Sequence, residues 1–109
     1  MLEPLLGSVN RERVLMFIFA RKEGYGRQIA SFFNTDLDPI QKQLERLEYG
    51  GVLISRSAGR TRLFSFNPRY PFLDELEALL EKALSFYPED ERGNLTMNRK
   101  RPRRSGKPL

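Results

Sequence analysis

The sequence predicts a mainly helical chain with one small β-hairpin, an α+β class, and three observations point there. Apolar residues recur at spacings of three and four over most of the chain, the period of a helix with one buried face. A single stretch, residues 52–66, breaks into two short β-type runs around a glycine-bearing turn. The length of 109 residues suits one domain, because autonomous domains cluster at about 100 to 150 residues.

Ser8 is placed to cap a first helix that runs to about residue 22, with Gly24 and Gly26 ending it. Within it, residues 14–20 read Val-Leu-Met-Phe-Ile-Phe-Ala, with no polar position in nearly two turns. A helix that is apolar on every face must be covered on every face. In so short a chain that requirement suggests a second subunit over part of the cylinder. A short second helix follows over 26–33, with Ile29, Ala30 and Phe33 on one side, and Asn34 to Leu37 interrupts it.

The third helix is expected to start at Asp38 as N-cap, with Pro39 at the first helical position and Gln41 three residues after the cap. Ile40, Leu44 and Leu47 form its buried stripe, Gln41, Lys42, Glu45 and Glu48 point outward, and Gly50-Gly51 stops it. Strands over 52–57 and 61–66 then meet at Ala58-Gly59-Arg60. Arg62, Phe64 and Phe66 share one face of the second strand, leaving it apolar at the base and cationic at the tip. The final helix is predicted over 71–87, ended by Pro88. Leu73, Leu76, Leu80, Ala83 and Tyr87 alternate spacings of three and four, the seam of helix pairing, and Phe72, Leu79 and Leu84 widen it. Leu73, Leu76, Leu80, Ala83, Leu84 and Tyr87 are therefore the expected dimerisation residues, joined by the 14–20 segment.

Charge divides the chain in two. Residues 1–88 carry 12 Lys/Arg against 11 Asp/Glu, whereas residues 89–109 carry 7 against 3. The second stretch is read as a disordered basic tail following a folded unit over 1–88, since it shows no apolar periodicity that could offset the entropy of ordering it. Its cations Arg99, Lys100, Arg101, Arg103, Arg104 and Lys107 are suited to replace counterions along a polyphosphate.

Composition also excludes. Neither Cys nor His occurs, which removes thiol nucleophiles, imidazole acid-base catalysis, the Ser-His-Asp triad and Cys/His metal sites. Gly24-Tyr-Gly26 is too short for a dinucleotide loop and follows no strand, and the acidic pairs are explained by helix starts. No enzyme activity, cofactor or metal is expected. The longest apolar run, seven residues, is far below the roughly 20 of a spanning helix. The opening Met-Leu-Glu-Pro lacks the basic flank of a signal peptide, so a cytoplasmic, nucleoid-associated location is expected.

Several pieces then combine: Ile29-Ala30 with Phe33, Asn34 at the turn, Leu37-Asp-Pro-Ile-Gln-Lys-Gln-Leu-Glu-Arg-Leu-Glu48, Gly51-Val-Leu, and Gly59-Arg-Thr-Arg-Leu-Phe-Ser-Phe66. On these, residues 9–87 resemble the small ArsR-like and MarR-like transcriptional regulators, whose arrangement is the winged helix-turn-helix. The resemblance implies a homodimer on a pseudo-palindromic DNA operator, acting as a repressor. It implies that the third helix enters the major groove with Pro39, Gln41, Lys42 and Gln43, with Arg46 nearer the backbone. It also implies that Arg56, Arg60 and Arg62 on the hairpin, or wing, meet phosphates or the minor groove. The chain departs from the metal-sensing ArsR members, which use Cys or His ligands. Two related readings stay open: a winged-helix protein-interaction module, and an antitoxin-like regulator that binds a protein partner encoded nearby.

Overall fold

The computed structural model describes residues 1–97, and the tail cations from Arg99 onward lie outside the described residues. The described chain forms α1 (Glu3–Leu6), α2 (Val9–Arg21), α3 (Gly26–Phe32), α4 (Leu37–Tyr49), β1 (Leu53–Ala58), β2 (Thr61–Phe66), α5 (Leu73–Leu84) and α6 (Glu89–Met97). The expected α+β class, helices around a single antiparallel hairpin, is the class observed.

Helix α2 is the axle of the molecule. Ser8 caps it as expected, its hydroxyl accepting from Arg11 N at 3.1 Å. Val14, Leu15, Met16, Phe17 and Ile18 are all buried, because α1, α3, α4, α5, α6 and β2 surround the helix. The burial demanded by the sequence is therefore met largely within one chain, with Phe19 left half-buried, so the 14–20 segment offers little surface to a second subunit. Lys22, with φ +78°, ends α2, rather than the following glycines.

Gly24 has a different task. It exchanges backbone hydrogen bonds with Phe64 (3.0 and 2.8 Å), adding a one-residue third strand to the hairpin. A Cβ there would sit 2.8 Å from the Phe17 ring, so only glycine lets the loop lie this close to α2. Asn34 adopts φ +54° after α3, a left-handed conformation that asparagine tolerates better than most residues.

Helix α4 starts two residues before the expected first position, Pro39, with Asp36 as its N-cap. Asp38 is not the cap: it lies in the first turn, and its Oδ2 is 3.3 Å from Lys42 Nζ. Pro39 misleads here because none of the first-turn N–H groups has an intrahelical acceptor, so proline is tolerated beyond the first position.

The C-terminal third differs from expectation in two places. Helix α5 ends at Leu84, where the Ser85 hydroxyl donates to Lys82 O at 2.6 Å, so Tyr87 does not continue its seam. Leu80 (0% exposed) and Ala83 face the core of their own chain. Residues 89–97 are not a disordered tail but α6. Three acids at its start favour the helix dipole, Leu95 is buried against α2, and Arg21 donates to Leu95 O and Asn94 O at 3.0 and 3.1 Å. One apolar anchor and one arginine suffice, and neither leaves a periodic signal.

Candidate nucleic-acid interface

The interface expected from the sequence is built on α4 and the hairpin, and α3 sets where α4 lies. Ala30 is buried, and α3 packs directly against α4. At the start of α3, a Cβ on Gly26 would collide with the Gln41 carboxamide. Gly26 thereby leaves room for the Gln41 side chain, and α4 is anchored by Ile40, Leu44 and Leu47, which are buried beneath it.

The predicted groove residues divide. Lys42 and Arg46 are exposed, and Gln41 and Pro39 are half-buried. Gln41 Nε2 lies 3.5 Å from Glu45 Oε2. Gln43 is the exception: it is 8% exposed and its Oε1 accepts from Arg11 Nε at 2.9 Å. It braces α4 against α2 from a buried position, so Gln43 is not a reading residue as expected but a structural one. Helical geometry explains the error, since residues 40, 43, 44 and 47 fall on one side of a 3.6-residue turn.

The hairpin pairs Leu53 with Phe66 through to Ala58 with Thr61, leaving Gly59-Arg60 as a two-residue tip. Gly59 has φ +64°, the positive value such tight hairpin turns require. Phe64 is buried at the base while Arg56, Arg60 and Arg62 are all exposed. Arg60 has no side-chain partner among the described residues, but the other two do. Arg56 Nη2 is 3.1 Å from Glu23 Oε1. Arg62 Nη1 donates to Ser55 Oγ at 2.8 Å, and Ser55 donates in turn to Glu48 Oε2 at 2.5 Å, linking the wing to α4.

Carboxylates accompany several of these groups. Asp38 and Glu45 stand four residues from Lys42 and Gln41, so those pairs were legible as helix neighbours. Glu23 is 33 residues from Arg56, and only the fold brings them together.

A second buried feature escaped the sequence altogether. Glu12 is buried in the first half of α2, accepting from Leu2 N at 2.8 Å and from the Tyr87 hydroxyl at 2.7 Å. Burial, and secondarily the bond donated to Glu12, raises the Tyr87 pKa well above the ordinary tyrosine value. The pair borders a cleft of about 1000 Å³ shared with Val9, Phe33 and Asp90. Among the described residues no group of three or more His, Cys, Asp or Glu could hold a metal ion, and no helix is long and apolar enough to cross a membrane.

No protein-family model matches the chain and no curated protein matches it in sequence. Among solved structures it is similar to a double mutant of Lactococcus lactis ZitR in its apo form. The TM-score is 0.55 at 17% identity, over 89% of this chain and 82% of that one. At that identity the likeness concerns the fold, and it is the winged-helix fold: a helical body with an α3–α4 pair followed by a hairpin.

Proposed function

We propose that this protein is a DNA-binding transcriptional regulator that acts as a homodimeric repressor on a pseudo-palindromic operator. The observation that carries the reading is the hairpin. Three exposed arginines and no acid lie on a projecting two-stranded wing beside an exposed α4 face that offers Gln41, Lys42 and Arg46. Guanidinium groups pair phosphate in a bidentate fork, and a helix of this kind can present an amide and an amine to base edges. The winged-helix fold supports the same assignment, because in that arrangement the second helix of the pair enters the major groove. Repression requires only that the operator be occupied.

Dimerisation draws support from apolar groups left at the surface. Phe72 and Phe86, flanking α5, are 61% and 66% exposed, and Leu73, Leu76 and Leu84 are half-buried between them. Two copies would present two α4 helices to half-sites about one helical turn apart. A protein-interaction or antitoxin-like role has one observation in its favour: Tyr49, at the end of α4, is 96% exposed, and aromatic residues are enriched at protein interfaces.

Selection of bound sequences from random duplex DNA tests the proposal. A symmetric motif with two half-sites is the expected result. Recovery of no enriched sequence, with the protein folded, overturns it and leaves the protein-interaction role.

A further inference from the structure

Of the cations and amides assigned to DNA on α4 and the wing, Lys42, Arg56 and Gln41 lie against a carboxylate, and Arg62 reaches one through a hydroxyl. Lys42 is held by Asp38, Arg56 by Glu23, Gln41 lies beside Glu45, and Arg62 reaches Glu48 through Ser55. These acids come from three places, the loop after α2 and both halves of α4, and each meets a group on α4 or the wing. Both ion pairs are solvent-exposed, so they add little to stability. Their stronger consequence is for a polyanion: a cation already paired with a carboxylate releases fewer counterions on meeting phosphate, and the carboxylate itself repels it.

We propose that Glu23 and Asp38 act as a specificity filter, holding Arg56 and Lys42 in internal pairs that random duplex DNA opens poorly and the operator opens well. The proposal rests on the DNA-binding reading above. Discrimination here comes from repulsion of the wrong partner as much as from attraction of the right one. A random duplex offers phosphates alone, and these must displace a carboxylate that stays nearby. At the operator, base contacts from α4 fix the register and compensate for opening the pairs. A carboxylate facing the groove can also accept from a cytosine amino group there.

The test compares wild type, Glu23→Gln, Asp38→Asn and the double variant on random duplex and on the selected operator, across a salt series. Glu81→Gln on α5, outside this surface, makes the same change in net charge and serves as control. Because Asp38 also favours the start of α4, thermal unfolding is followed in parallel and Glu23→Gln is the primary arm. Each single variant is expected to bind random duplex about two- to fivefold more tightly, the range spanned by an exposed ion pair. The salt slope should steepen by up to about 1 for each cation released. Operator affinity should rise less, so that the operator-to-random ratio falls, and Glu81→Gln should leave that ratio unchanged. If wild type prefers the operator and the variants keep wild-type affinity for random duplex, the filter is overturned and the DNA-binding reading stands. An equal gain from Glu81→Gln also overturns the filter, by showing a net-charge effect. If no chain binds either duplex, the DNA-binding reading itself fails.

Discussion

Gln43 Oε1 accepts a hydrogen bond from Arg11 Nε at 2.9 Å, bridging α4 and α2, while Gln41 two residues earlier keeps its amide near the surface. The two glutamines should therefore fail differently. Gln43→Ala is expected to lower stability by about 1–2 kcal/mol, the scale of a partly buried bond to a charged group, and to leave base preference intact. Gln41→Ala should lower preference at one base position by about 1–3 kcal/mol with little change in unfolding. Urea denaturation and binding to single-base operator variants check both.

Leu80 and Phe72 separate core from interface. Leu80→Ala should cost about 2–5 kcal/mol, because it leaves a cavity in the monomer's own core. Phe72→Asp or Phe86→Asp, at exposed positions, should keep the chain folded but shift sedimentation from dimer to monomer and weaken operator binding. A folded monomer from Leu80→Ala with unchanged unfolding would contradict this division.

Gly24→Ala is expected to destabilise the protein by about 1–3 kcal/mol, because the added methyl must displace the Phe17 ring or break the Phe64 bridge. The same change at Gly50, whose nearest neighbour to an added Cβ is 3.4 Å away and whose φ is −81°, should be milder. Thermal melts of the two variants give the comparison.

Two truncations divide the C-terminal segment. Removing residues 98–109 should leave unfolding unchanged while weakening binding to any duplex and flattening its salt dependence, as expected of tail cations without sequence preference. Removing 89–109 should in addition destabilise the domain, since it deletes Leu95 and two carbonyl acceptors that Arg21 uses. Equal stability of the two products would show that α6 contributes nothing to the fold.

Tyr87 should resist alkali. Its folded pKa lies above the unfolded value of about 10, so the stability it contributes is present below that pH and declines as pH rises through the interval above it. The difference in tyrosinate absorbance between wild type and Tyr87→Phe should show one hydroxyl ionising late, together with unfolding. Ionisation of that group at the ordinary value would refute the burial argument.

Local signals determined much of this protein. The Ser8 cap, the Ile40, Leu44 and Leu47 stripe, the left-handed Asn34 and the Gly59 turn follow from the preferences of a few adjacent residues, and together they imply a winged-helix order of elements. Tertiary structure decided what depends on distant partners. Residues 14–20 declare that they must be buried, but only packing shows that the helices and β2 of the same chain cover most of them. The spacing of Leu80 and Ala83 is equally suited to a partner helix or to the chain's own core, because periodicity marks a face without naming what covers it. Helix α6 rests on one leucine and one long-range arginine, a contact that no local pattern encodes. Gln43 looked like a neighbour of Gln41 and Lys42 in the sequence, yet the 3.6-residue turn and Arg11 commit it to the interior. The pairing of Glu23 with Arg56 arises in the same way: opposite charges far apart in the chain meet because the Gly24–Phe64 bridge lays the loop after α2 along the wing.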